Sequence, residues 1–125
     1  MNERDAALMS IYESVKSRMV FDFGGFQRQL TAWDVVPLKQ AGQIIGGVLV
    51  KGNELHVGYK RRPTASILRH IKTTLGRILT DFGSATTVVD AANQKGLRFC
   101  LRLGFDVVER KDDKLYLKCL RCKYV

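Results

Sequence analysis

The sequence predicts an α/β (α+β) domain built on a mixed sheet with helices on both faces. Three observations carry that reading. Apolar residues recur at helical spacing in separate segments, and the stretches between them have strand character. The first three strand segments follow one another across tight turns, as in an antiparallel meander. One long amphipathic helix then stands between two strands, the β–α–β order that joins parallel neighbours by a right-handed crossover.

Asn2 with Asp5 three residues later resembles a capping box, and Leu8, Ile11, Tyr12, Val15 and Met19 form an apolar stripe. A first helix of about 16 residues follows from that spacing. The adjacent glycines of Phe21-Asp-Phe-Gly-Gly-Phe26 favour a turn, with a short second helix somewhere in 25–32. Trp33–Lys39 reads as a strand, and Pro37 places it at an edge or bulge. Gln40-Ala-Gly42 turns the chain into a second strand, Ile44–Val50. Lys51-Gly-Asn53 is a tight hairpin into a third, Glu54–Tyr59. After Lys60-Arg-Arg-Pro63 the helical period returns, with Ile67, Leu68, Ile71, Leu75, Ile78, Leu79 and Phe82 on one stripe and Gly83 as the stop. Ala85–Asp90 is a short strand and Asn93–Leu103 a helix closed by Gly104. Phe105–Arg110 and Leu115 to about Lys123 finish the chain as strands across an Asp112-Asp113 turn.

The chain has 125 residues, 46% hydrophobic and 26% charged, which fits a single domain over 1–125 with one sizeable core. No apolar run approaches the roughly 18 residues of a membrane helix, and the first 20 residues do not read as a signal peptide, so a soluble cytoplasmic protein without a membrane partner is expected. Cys100, Cys119 and Cys122 lack the spacing of a disulfide framework. Cys119-Leu-Arg-Cys122 supplies two of the four ligands zinc needs, so the thiols read as buried or edge residues and no metal is expected. Residues 1–50 carry five basic and five acidic side chains and 51–125 carry sixteen and seven, so the second part supplies the entire net charge of +9. That asymmetry suits an anionic partner. Nucleic acid is one such partner, ranked lower because aromatic residues are not interleaved with the basic ones as a stacking platform requires.

Two segments carry chemistry. At Tyr59-Lys60-Arg61-Arg62-Pro63-Thr64-Ala65-Ser66 a strand feeds a helix, whose free N–H groups and dipole make an anion site beside three cations. From Asn93 to Phe105, Asn93 is placed to cap a helix and Gly104-Phe105 to end it. Together these segments resemble the GNAT acyltransferases over roughly residues 33–125. In that superfamily the helix after the third meander strand opens on an R/Q-x-x-G-x-G/A loop that cradles the coenzyme A pyrophosphate. A later segment reads N-x-x-A-x-x-x-Y-x-x-x-G-F. Asn93, Gly96, Cys100, Gly104 and Phe105 stand at its positions, and Ile45-Gly-Gly47 looks like the glycine-bearing strand of the meander. Three departures stand out: no first strand is recognisable, the pyrophosphate loop lacks its glycines, and Cys100 occupies the tyrosine position. The last two look like the small GNAT-like proteins encoded by short-tailed bacteriophages.

The resemblance implies an N-acetyltransferase that moves an acetyl or other acyl group from acetyl-CoA, or another acyl-CoA, to an amine on a small molecule or protein. It places Arg61, Arg62 and the backbone of Thr64, Ala65 and Ser66 on the phosphates. Val57 and Tyr59 would pair with the pantetheine arm through their main chain, Asn93 would flank the cofactor, and Cys100 would stand where a general acid acts. Candidate bases on the third strand are Glu54 and His56, which also read as an exposed turn acid and a half-buried strand residue. For Cys100, packing beneath Phe105 at a helix end ranks well ahead of a catalytic role. One alternative is a catalytically degenerate protein of phage assembly or the virion interior, partnered by phage structural proteins. The other is a basic nucleic-acid-binding domain.

Overall fold

The computed structural model describes residues 2–18, 20–60 and 64–120, with the side chains of 18 and 65–67 outside that description. Its elements follow the expected order, with four helices and a six-stranded mixed sheet. The chain divides into two compact units, Met1–Lys51 with His56–His70 and Gly52–Leu55 with Ile71–Val125.

The first unit begins with α1, Glu3–Val15, continued by a 3₁₀ turn over Lys16–Arg18. The Asn2 side chain accepts the Asp5 N–H at 2.7 Å, the expected N-cap. Next, α2 spans Phe23–Gln29, and here the structure corrects the sequence reading. Gly24 and Gly25 do not form a turn but lie in the first turn of this helix. Asp22 caps them by accepting the Gly25 N–H at 2.8 Å, and Phe26 is carried into a core cluster with Leu8, Ile11 and Leu49. Burying one such phenylalanine stabilises by about 1.5–3 kcal/mol, more than two helical glycines lose. Arg4 on α1 ties down the following loop, donating to the carbonyls of Trp33 at 2.7 Å and Leu30 at 2.8 Å.

Strand β1 is Asp34–Gln40, β2 is Gln43–Lys51 and β3 is Glu54–Tyr59. β1 and β2 pair antiparallel from Asp34↔Val50 to Gln40↔Gln43, with a register shift between Leu38 and Lys39. β1 is the outermost strand, which tolerates Pro37 because an edge residue needs no second N–H partner. Two close approaches explain Gly46 and Gly58. A Cβ on Gly46 would lie 2.2 Å from the Gly58 carbonyl oxygen, and one on Gly58 would lie 2.7 Å from Ile11 Cγ2. Side chains at these positions would separate β2 from β3 and lift α1 off the sheet.

Helix α3 spans Ala65–Phe82, and its second part, which belongs to the second unit, turns Ile71, Leu75 and Ile78 inward. Phe82, expected on that stripe, is 57% exposed, because the helix ends there. Gly83, at φ +76°, donates back to the Leu79 carbonyl as the predicted stop. β4 is Ala85–Asp90, α4 is Gln94–Leu103, β5 is Asp106–Lys111 and β6 is Lys114–Cys119. β6 is described to Cys119; the expected continuation to about Lys123, with Cys122, falls on residues 121–125, which lie outside the described residues. Ala85, Thr87 and Val89 alternate inward on β4, as do Leu115, Leu117 and Cys119 on β6, and the two strands pair antiparallel from Ala85↔Cys119 to Asp90↔Lys114. β5 pairs with β6 as the other edge strand, with a register shift between Val107 and Glu109.

The strand order is β1-β2-β3-β4-β6-β5. β3 and β4 pair in parallel through Glu54↔Thr86, as the β–α–β reading requires, and the Thr86 N–H donates to the Asn53 carbonyl at 2.8 Å. No helix among the described residues is long and apolar enough to cross a membrane.

Candidate functional site

The first half of the candidate site lies in the first unit, where β3 runs into α3. The Lys60 N–H donates to the Ile45 carbonyl at 2.8 Å, and the Gly58 carbonyl also points at β2. Main-chain polar groups alternate direction along a strand, so those of Val57 and Tyr59 are directed away from β2. The Glu54↔Thr86 pair stands at the start of β3, ahead of both residues. Val57 and Tyr59 are half-buried.

Arg61 and Arg62 lie outside the described residues, as does Pro63. Thr64 is exposed, and its carbonyl accepts the Leu68 N–H at 3.0 Å, which makes it the N-cap of α3. The first helical position is therefore Ala65. Pro63 precedes the cap, so its missing N–H removes none of the helix's own donors. The N–H groups of Ala65, Ser66 and residue 67 have no carbonyl partner inside the helix, and no acid stands in that first turn. The chemistry of this end suits an anion.

The candidate bases share one face of β3. Gly58 faces Ile11 of α1, so alternation puts His56 and Glu54 on that side and Leu55, Val57 and Tyr59 on the other. His56 packs its ring on Trp33, centroids 5.5 Å apart at 57°, and Lys51 Nζ stands 6.0 Å from the same indole. Glu54 is half-buried rather than the exposed turn acid of the sequence reading. Trp33 and Lys51 belong to this group without matching any sequence motif. Their signal was slight: the only tryptophan of the chain, at the mouth of a strand.

In the second unit Asn93 caps α4, accepting the Gly96 N–H at 3.0 Å through Oδ1 while its own N–H donates to the Asp90 carbonyl. Gly96 is small for a local reason, since a Cβ there would lie 2.4 Å from Asn93 Nδ2. At the other end Gly104 adopts φ +112°. Its N–H donates to the Leu101 carbonyl at 3.2 Å and that of Phe105 to the Cys100 carbonyl at 3.1 Å, the paired bonds of a Schellman cap. Phe105 is 2% exposed. Burial pushes the Cys100 thiol up to about 11, so it keeps its proton at neutral pH. Cys119 is fully buried on β6, and no cluster of three metal-ligating side chains occurs among the described residues. A cavity of about 220 Å³, lined by Gly104, Asp106, Val108, Lys118 and Leu120, contains none of the expected site residues.

No protein-family profile matches the sequence, and no curated protein sequence does. Solved structures do match. PH1933 from Pyrococcus horikoshii OT3 superposes with a TM-score of 0.69 at 15% identity, over 96% of this chain and 89% of that one. The PaiA N-acetyltransferase from Thermoplasma acidophilum, solved in complex with coenzyme A, gives 0.59 at 12% identity over 94% and 89%. Ard1 from Thermoplasma volcanium gives 0.51 at 13% identity over 98% and 95%. At these identities the likeness is one of fold, and that fold is the GNAT-like mixed α+β arrangement the sequence predicts.

Proposed function

We propose that this protein is an acyltransferase that takes an acyl group from coenzyme A to an amine. The observation that carries the reading is the β3–α3 junction: strand main chain directed away from β2, followed at once by an acid-free helix start capped by Thr64. These residues fit a ligand that is a linear amide at one end and a pyrophosphate at the other. Val57 and Tyr59 hold the amide arm as an added strand would. The N–H groups of Ala65 and Ser66, with Arg61 and Arg62, hold the phosphates. Coenzyme A, when bound, supplies the activated thioester carbonyl. That a structural neighbour was solved with coenzyme A supports the assignment.

His56 is the base in this reading. Its ring is held against Trp33, half-buried, on the strand that carries the cofactor contacts, and an imidazole nitrogen can accept the proton of an attacking amine. Asn93 acts through the start of α4, which it caps. Cys100 packs at the helix end. A thiol with a pKa near 11 is a poor donor toward a departing thiolate, whose conjugate acid is about two units stronger. This favours a second reading in which the fold binds the cofactor without turnover and serves as a scaffold.

Calorimetry with acetyl-CoA, followed by a thiol-release assay across amine acceptors, separates the two. Saturable heat with thiol release that falls at least tenfold in His56→Ala supports acyl transfer. Heat without release supports the scaffold. No heat at millimolar acetyl-CoA overturns both.

A further inference from the structure

We infer that the outward face of α4 is a binding surface for the phosphate backbone of duplex nucleic acid. Residues 91–105 contain three cations, Lys95, Arg98 and Arg102, and no acid. All three are exposed, and at spacings of three and four they fall on one side of the helix. Leu97 and Cys100 fall on the opposite side, and Leu103, on the flank, is buried. Helical rise sets the stripe at about 10.5 Å from Lys95 to Arg102. The described acids nearest in sequence are Asp90, which pairs with Lys114, and Asp106, which stands opposite Lys118 on the neighbouring strand. The stripe therefore presents charge of one sign to solvent.

The composition of the stripe decides between anionic partners. An acidic protein surface is normally held by a desolvated aromatic or aliphatic anchor at the centre of the contact. Here the centre is Arg98, and the large apolar side chains bordering the stripe, the half-buried Phe99 and the 38% exposed Leu101, stand at its margins. Single-stranded nucleic acid calls for aromatic stacking platforms, and α4 turns none outward: its one aromatic, Phe99, is half-buried. A duplex needs neither. It offers one phosphate charge per about 1.7 Å of axis, which guanidinium groups bind bidentately and an ammonium binds as a point charge. Such a contact is independent of base sequence. It also gives a use to three of the sixteen basic residues gathered in 51–125. The inference stands apart from acyl transfer, since none of the three residues belongs to the proposed cofactor site.

The test is fluorescence anisotropy of the whole protein with labelled duplexes of unrelated sequence, across a salt series. Binding with similar affinity to each duplex is expected, with log K falling linearly in log salt. The triple variant Lys95→Gln, Arg98→Gln, Arg102→Gln should reduce that slope by roughly three, about one per lost phosphate contact. A second triple variant, Arg77→Gln, Arg110→Gln, Lys111→Gln, removes the same charge from other exposed positions and should keep most of the slope. Equal losses in the two variants would mean a net-charge effect and overturn the assignment. So would an absence of binding at low salt, displacement of the duplex by poly-glutamate at equal charge, or a stripe variant that loses acetyl-CoA but keeps the duplex.

Discussion

Replacing Gly58 by alanine tests the packing that sets β3 beneath α1. The new Cβ would lie 2.7 Å from Ile11 Cγ2, 3.1 Å from Cγ1 and 3.2 Å from Cβ. Ile11 is 5% exposed and held by Leu8, Phe26 and Leu49, so it has little room to yield. Overpacking of this kind costs about 1–3 kcal/mol. The loss of glycine's freedom in the unfolded chain returns about 0.4–1 kcal/mol, leaving a net destabilisation of roughly 1–2 kcal/mol. Ile11→Ala alone removes buried methylenes and costs about 2–5 kcal/mol. In the double variant both Cγ clashes vanish and the new methyl fills part of the cavity. The two changes should therefore couple favourably by about 1 kcal/mol or more. Urea unfolding of the four proteins, with unchanged m-values, gives the cycle. A Gly58→Ala protein as stable as the parent, or losses that simply add, would refute the close approach of α1 to β3.

Other expectations concern α4. Asn93→Ala removes the acceptor for the Gly96 N–H and should lower stability by about 1 kcal/mol in chemical denaturation. Gly96→Ala should destabilise the parent, because the Cβ meets Asn93 Nδ2, yet stabilise the Asn93→Ala background by up to about 1 kcal/mol, since alanine is the better helix former. The folded state favours the neutral Cys100 thiol, so its contribution is complete below pH 9, falls as pH rises toward 11 and is lost above it. A shift of two units corresponds to roughly 2–3 kcal/mol. Cys100→Ala should flatten the stability profile over that window, and alkylation of Cys100 at pH 8 should run about 100-fold slower than that of a free thiol.

Much of the fold is legible in the sequence because its signals are local. The Asn2 and Asn93 caps, the Gly83 and Gly104 stops and the two-residue turns each depend on neighbours a few positions away, and each appears where the sequence puts it; of the helical stripes, Met19 and the Ile67 side chain lie outside the described residues. Gly24 and Gly25 misled for the opposite reason. Their helix exists because Asp22 caps it and Phe26 finds a core formed by residues up to 23 positions away, which propensity does not register. Phe82 fits the apolar period but falls on the last residue of its helix, where no neighbour covers it. The glycines of β2 and β3 look like motif residues in sequence. Their cause is steric, a backbone carbonyl at one and Ile11 at the other. Of the site, the strand-to-helix junction and the cap were readable from spacing. The contacts of Trp33 with His56 and Lys51 were not, because they join residues 23 and 18 apart that no local pattern links.

Backbone amide spectra of the intact protein during titration with acetyl-CoA test most directly whether β3 and the start of α3 hold an acyl-CoA. Saturable shifts and slowed solvent exchange at the Val57 and Tyr59 N–H, together with shifts at Ala65 and Ser66, are the predicted result. Amides at these four positions that stay unmoved at millimolar acetyl-CoA would contradict it.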